Sequence, residues 1–161
     1  MRTLLAQHAG VLDAPDAVAL ARLSEGSIGR ALDLAAGGGL ELYRELLKVI
    51  AEVPELDAEA THRFGERLAK GGDGAAFRTG MELLIWWLAR LVRAGSLGGL
   101  PPEVVAGEGA LMTRLLERRP LAHWLALWEK ISRLFASAER ANLDRKQVVV
   151  TAFLELEATA S

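Results

Sequence analysis

The sequence predicts an all-α protein, and three observations support this. Ala, Leu, Glu and Arg are abundant, and these residues have high helix propensity. Only 6% of the residues are aromatic, a balance that favours helix over sheet. Apolar residues recur at three- and four-residue steps along most of the chain, as they do in helices that bury one face. With 51% hydrophobic residues in 161, the chain can bury a core.

The start of the chain predicts short helices. Residues 3–9 form a short segment of mixed apolar and polar residues that Gly10 interrupts. The segment Asp13-Ala14-Pro15 offers a helix cap with a proline near the first turn, a common way for a helix to begin. A second short helix is therefore expected up to Leu23.

The segment Gly26-Ser27-Ile28-Gly29-Arg30 combines a helix end with a helix start. Gly26 can end the preceding helix, and Ser27 can cap a third one. Arg30 is then expected in the first turn, where the helix dipole favours anions and a forked guanidinium suits a phosphate. An ordinary surface or salt-bridged arginine fits the same position, so the spacing leaves both interpretations open.

Three consecutive glycines, Gly37 to Gly39, follow the third short helix. Glycines in succession give the backbone great freedom and are unfavourable inside a helix. We therefore expect a hinge or domain boundary here. It divides the chain into a short three-helix unit, residues 1–37, and a larger unit, residues 40–161.

Beyond the glycines the apolar stripes lengthen and predict a bundle of five to six helices. The expected helices cover Leu40 to Ile50 with an end near Pro54, Asp57 to Lys70, Phe77 to Leu91, Glu108 to Arg118, Leu121 to Phe135 and Val148 to Leu156, with a loop from Gly95 to Pro102.

The last of these helices has a marked start. Asp144 and Gln147 have the spacing of a capping box, in which Asp144 caps the helix and the Gln147 side chain reaches back. Val148 to Thr151 is nevertheless rich in β-branched residues, so a strand is the alternative for this segment.

Four tryptophans lie on the predicted bundle helices, and two of them, Trp124 and Trp128, are one helical turn apart. Aromatic pairs at helical spacing usually anchor one helix to another. The alternative is an apolar ligand pocket lined by Trp86, Trp87, Trp124 and Trp128.

No catalytic or metal-binding set is visible. There is no phosphate-binding loop and no nucleophile elbow, and Gly71-Gly72-Asp73-Gly74 lacks the lysine and hydroxyl of a phosphate loop. His8, His62 and His123 have no second ligand at a metal-binding spacing, and cysteine is absent. We therefore expect no catalytic residue, no metal and no cofactor.

The formal net charge of −2 gives no global attraction to nucleic acid or to an anionic membrane. Two basic groups stand out locally, and acids interleave with both. They are expected to be solvated helix faces, with contact to phosphates or to an acidic partner as the alternative. The first group consists of Arg114, Arg118 and Arg119, and the second of Arg140, Arg145 and Lys146.

The longest apolar run, Met81 to Val92, is interrupted by Glu82 and Arg90. It is shorter than the ~20 apolar residues that a membrane helix needs. The N-terminus also lacks the apolar region of a signal peptide. We therefore expect a cytoplasmic protein without membrane contact.

The order of these parts resembles the C-terminal part of the delta-prime subunits of bacterial DNA polymerase III, which belong to the clamp loader. The resemblance covers essentially the whole chain and is most specific at Ala21 to Leu34 and at Ala141 to Leu156. It implies that residues 1–37 form the end of an AAA+ lid and that residues 40–161 form a helical collar. Gly26, Ser27, Gly29 and Arg30 then match the sensor-2 segment, with Arg30 as the sensor-2 arginine.

The resemblance also implies partners. In this family the collars hold the clamp-loader subunits together in a ring, so the gamma or tau and the delta subunits are the expected partners, with DNA contact possible only in the full complex. The nucleotide-binding core, the arginine-finger motif and the zinc module of the family are not found in this sequence. The chain is therefore expected to be a fragment.

The function expected from the resemblance is that of a non-catalytic assembly module, which supports loading of the sliding clamp in DNA replication. Delta-prime subunits need not hydrolyse ATP, so Arg30 is a remnant, a binding residue of the full-length chain or a structural ion-pair partner. The alternative function is a small-ligand-binding or regulatory helical bundle with the tryptophan-lined pocket. An enzyme is the third possibility and would need polar groups that only the fold brings together.

Overall fold

The computed structural model describes residues 13–161, which form eight α-helices and no strand. This confirms the predicted all-α class. The helices are α1 (Ala14–Leu23), α2 (Ile28–Ala36), α3 (Gly39–Ala51), α4 (Ala58–Ala69), α5 (Ala75–Leu97), α6 (Glu108–Arg118), α7 (Leu121–Ala141) and α8 (Arg145–Ala160). The helix expected within residues 3–9 lies outside the described residues.

Four helices begin with a side-chain cap, because the first backbone N–H groups of a helix have no partner within it. In each case a side-chain oxygen accepts a hydrogen bond from an N–H of the first turn. The caps are Asp13 for α1, Ser27 for α2, Asp57 for α4 and Asp144 for α8. All four starts agree with the sequence prediction.

The segment Val148 to Thr151 lies inside α8 and is helical. Asp144 accepts a hydrogen bond from the backbone N–H of Gln147 at 2.9 Å, which is the Asp144 half of the expected capping box. The local cap thus prevails over the modest strand preference of the β-branched residues.

The expected loop from Gly95 to Pro102 is wrong at its start, because α5 continues to Leu97. A Cβ at Gly95 would lie 2.7 Å from Cδ1 of Leu121 and 2.9 Å from Cδ2 of Leu116. Gly95 therefore permits a close approach of two leucines rather than a break in the helix. The helix ends at Gly98, whose φ is +70°.

The end of α1 also differs in detail from the prediction. Glu25, rather than Gly26, takes the left-handed position after the helix, with φ of 50°. The N–H of Gly26 bonds to the carbonyl of Ala21 and the N–H of Glu25 to that of Arg22, the pattern of a Schellman motif. Gly26 follows with φ of +90°.

The core is one cluster of buried apolar side chains that includes residues from Ala19 to Ala160. Helix α5 is central to it, because most of its sides carry buried residues, among them Phe77, Met81, Leu84, Trp87, Leu88 and Leu91. Residues of α1 and α2 belong to the same cluster. The predicted division at Gly37 to Gly39 corresponds to the short connection between α2 and α3, and it stays a prediction.

Among the described residues, no helix combines the length and the apolar character that crossing a bilayer requires.

Candidate functional site

The sequence-predicted site residues lie together in the turn between α1 and α2. The N–H of Arg30 donates to Oγ of Ser27 at 3.3 Å, so Arg30 lies in the first turn of α2 as expected. The Arg30 side chain is exposed. It borders an open cleft of about 180 Å³ together with Asp33, Thr79 and Glu82.

This cleft has mixed charge. Asp33 and Glu82 place two carboxylates beside Arg30, and carboxylates disfavour a bound phosphate. A Cβ at Gly26 or at Gly29 would meet no atom within 4 Å, so packing does not require glycine at either position. The turn thus presents an exposed arginine at a helix start, without a phosphate-binding cradle among the described residues.

A buried polar cluster lies elsewhere, where α3, α5 and α6 meet. It consists of Tyr43, Arg90 and Glu108, whose exposed fractions are 0%, 6% and 2%. Arg90 Nη1 lies 3.1 Å from Oε2 of Glu108 and 3.0 Å from the Tyr43 hydroxyl. The Tyr43 hydroxyl donates to Oε1 of Glu108. A buried charge pair is tolerated when its partners make further hydrogen bonds, and both Arg90 and Glu108 do so here.

The same cluster holds the loop between α5 and α6. Arg90 Nη2 donates to the carbonyl of Pro102 at 2.6 Å, and the N–H of Val104 donates to Oε2 of Glu108 at 2.9 Å. A second arginine, Arg22 of α1, donates to the carbonyl of Glu103. Three side chains from three helices therefore fix this loop.

Burial raises the pKa of Tyr43 far above its ordinary value of 10.0, and the nearby Glu108 carboxylate raises it further. The contact with Arg90 acts in the opposite direction but is weaker. Tyr43 therefore stays protonated in the folded chain and serves as a hydrogen-bond donor. A neutral, fully buried phenol of this kind is structural and has no access to a substrate.

Trp86 covers the outer side of this cluster. Its ring lies 4.6 Å from the guanidinium carbon of Arg90 and forms an edge-to-face pair with Tyr43 at 6.0 Å between ring centroids. Its indole N–H donates to Glu25 at 2.9 Å. Trp86 also borders a small cleft of about 160 Å³.

The other three tryptophans are placed differently. Trp87 and Trp124 are fully buried in the core, and Trp128 packs against it. None of these three borders any of the five clefts characterised in the described part of the chain. The fold therefore does not bring the four tryptophans together around one of these clefts.

Members of both predicted basic groups contact the protein's own backbone, although Arg114, Arg118 and Arg140 are exposed as a solvated face predicts. Arg114 donates to the carbonyls of Val53 at 2.7 Å and Ala51 at 2.9 Å. Arg118 donates to the carbonyl of Ala160 at 2.8 Å. These carbonyls lie at or just beyond the C-terminal ends of α3 and α8, where helices favour cations.

In the second basic group, Arg145 donates to the carbonyl of Gly71 at 2.9 Å, and Lys146 pairs with Glu66 at 2.7 Å. The Gly71-Gly72-Asp73-Gly74 segment is thus a connection tied to α8. A Cβ at Gly74 would lie 2.7 Å from the Arg145 guanidinium, so glycine leaves room for this contact.

No group of three or more metal-ligating side chains occurs within residues 13–161. His62 and His123 are exposed on separate helices, and His8 lies outside the described residues.

Sequence reasoning missed the Tyr43, Arg90 and Glu108 cluster. The available signal was Arg90 itself, a charge within the longest apolar run, Met81 to Val92. A charge at such a position needs a partner, but the sequence does not reveal which one.

Comparison of the chain with protein-family models, with curated proteins and with solved structures gave no match.

Proposed function

We propose that this chain is a non-catalytic assembly module of a clamp loader, similar to the C-terminal part of a bacterial delta-prime subunit. In this proposal residues 1–37 are the end of the lid and residues 40–161 are the collar. The order of elements supports it, because two short helices, α1 and α2, precede a bundle of six. The resemblance at Ala21 to Leu34 supports it as well, because Ser27 caps α2 and Arg30 is exposed in its first turn.

The observation that carries the proposal is a leucine-rich surface at one end of the bundle, which we call the leucine end. Leu97 is 76% exposed and Leu100 is 51% exposed. Leu100 and Leu116 line one open cleft of about 310 Å³ beside Gly95. Exposed apolar side chains grouped in this way are typical of a surface that a partner covers, and the collar is the assembly element of the resembling family.

The test is a mixture of the 161-residue chain with the helical collar domains of bacterial gamma and delta subunits, measured by gel filtration with light scattering. We expect a complex of defined mass. The double variant Leu97→Glu with Leu100→Glu should weaken it by about tenfold or more, since a charge at the centre of an apolar contact is strongly unfavourable.

The matched control is Leu154→Glu on α8, where the leucine is 54% exposed on a different helix from the leucine end. It should leave the complex unchanged, and circular dichroism should show the same helix content in all variants. Absence of any complex at concentrations of tens of micromolar would overturn the proposal.

The same proposal expects the chain to bind ATP weakly and not to hydrolyse it, because Arg30 faces no phosphate loop in this sequence. Isothermal titration calorimetry that shows micromolar ATP binding would contradict this. Phosphate release above the background of an Arg30→Ala variant would contradict it too.

A further inference from the structure

A groove of about 440 Å³ lies between α3, α6 and the loop that precedes α6. Helix α3 contributes Arg44, Leu47, Lys48 and Ala51, which follow one another at helical spacing and so form a single stripe. The opposite wall consists of Val105 to Glu108 and of Leu111.

The wall formed by the loop is held in place by the buried cluster described above. Glu108 accepts from the Val104 N–H at 2.9 Å, and the N–H of Gly107 donates to Oε2 of Glu103 at 2.6 Å. The groove is therefore formed before any partner arrives, which lowers the ordering cost of binding.

Within residues 13–161, the groove carries one unpaired positive charge, that of Lys48. Lys48 has no carboxylate within ion-pair distance among the described residues. Arg44, one turn away, pairs with Asp16 at 2.5 Å and more distantly with Glu41 at 3.7 Å. The one carboxylate that lines the groove, that of Glu108, is taken up by Arg90.

The surface continues beyond Lys48. Lys48 also borders a neighbouring depression of about 310 Å³, whose lining includes Arg63, Arg67 and Phe64. Arg67 pairs there with Glu45. Arg63 pairs with Glu59 at 2.7 Å, so Lys48 is the cation on this face that has no carboxylate partner among the described residues.

We propose that this groove binds an acidic amphipathic helix of a partner protein. The apolar side chains of that helix would lie against Leu47, Ala51 and Leu111, and a carboxylate on its flank would pair with Lys48. The stripe from Arg44 to Ala51 spans about 10 Å of helix axis, which fits two turns of a helix that presents anchors at i, i+3, i+4 and i+7. The adjoining depression beyond Lys48 makes the surface longer than a small ligand needs.

This inference does not depend on the proposed assembly function, because the groove and the leucine end are formed by different residues. A variant that abolishes binding at the groove therefore leaves assembly through the leucine end measurable, and the reverse also holds.

The experiment is a display selection against the 161-residue chain. The library contains 16-residue helical peptides with Leu, Ile, Met or Phe on the apolar stripe and Glu, Gln or Lys on the flanks. We expect selection to enrich Glu over Lys on the flanks. The selected peptides should then bind with micromolar Kd in fluorescence anisotropy.

The variant Lys48→Glu should weaken the selected peptides by about tenfold, since it replaces an ion pair with a repulsion. The control Arg133→Glu makes the same charge change at an exposed position of α7 and should alter the Kd by less than about twofold. The proposal would be overturned if selection enriched neither Glu nor Lys on the flanks. It would also be overturned if the peptides bound Lys48→Glu and Arg133→Glu equally well.

Two further outcomes would assign the groove to another occupant and also overturn the proposal. The first is a dimer of the chain in sedimentation that Lys48→Glu dissociates, which would indicate a second copy. The second is binding of decanoate as tight as that of the selected peptides, which would indicate a small apolar acid.

Discussion

Replacing Glu108 by alanine should lower the free energy of unfolding by about 3–5 kcal/mol, because removal of one partner leaves a buried charge uncompensated. The stranded charge is Arg90, whose side chain is 6% exposed, against 1% for that of Glu108. The N–H of Val104 loses its side-chain acceptor in the same variant, which contributes to this cost. Arg90 keeps its bonds to Tyr43 and to the Pro102 carbonyl, so we expect destabilisation without complete loss of folding.

Removing both charges together should cost less than the sum of the two single changes. In Arg90→Met with Glu108→Leu, no unpaired charge is left, and apolar replacements of a buried pair are often close to neutral. The exposed pair Lys130 with Glu155, whose side chains are 56% and 31% accessible, is the matched surface comparison. Lys130→Met should change the free energy of unfolding by less than about 1 kcal/mol.

Urea denaturation followed by tryptophan fluorescence and circular dichroism measures all of these variants, and a double-mutant cycle gives the coupling between Arg90 and Glu108. A loss below about 1 kcal/mol in Glu108→Ala would refute the reasoning, since the pair would then behave as a surface pair. A double variant whose loss equals the sum of the singles would also refute it.

Three further predictions concern other groups. Ser27→Ala should destabilise the chain by about 1 kcal/mol by removing the cap of α2, and Ser27→Gly by only a few tenths, as urea denaturation can measure. Tyr43 is the single tyrosine, and its folded-state pKa lies above the ordinary 10.0. The contribution of its protonated hydroxyl to the free energy of unfolding is therefore complete below pH 10 and is lost as the pH rises further. Tyrosinate absorbance should therefore appear only together with alkaline unfolding, and its appearance in the folded chain near pH 10 would contradict this. The hydrogen bond from Lys146 holds the pKa of Glu66 below its usual value, so Lys146→Met should raise that pKa in an NMR titration, and an unchanged pKa would exclude the contact.

The sequence allowed good prediction where the signal is local. The starts of α4, α6 and α8 follow from caps and periodicity within a few residues, and Ser27 caps α2 as its position suggests. The end of α5 was mispredicted because a glycine can serve close packing as well as a helix end. Only the neighbouring leucines, Leu116 and Leu121, show which role Gly95 has.

The buried cluster could be predicted only in part, because its members are far apart in the chain. Arg90 is visible as a charge in an apolar helix, and burial of a charge demands partners. Its partners Tyr43 and Glu108 lie 47 and 18 residues away, and no pattern in the sequence links them. The same holds for Arg114, whose acceptors lie 61 and 63 residues earlier.

These long-range contacts also explain why the groove stays open. Tyr43, near the start of α3, is bonded to Glu108 at the start of α6, and Arg114 of α6 is bonded to the carbonyl of Ala51 at the end of α3. The two helices are therefore bonded at two separate levels and run in the same direction. Between these two fixed points the facing residues, Leu47 and Leu111, border the groove. Since these bonds join α3 and α6 on either side of the groove, they set the spacing of the two helices there, and Leu47 and Leu111 keep 7% and 9% of their surface exposed.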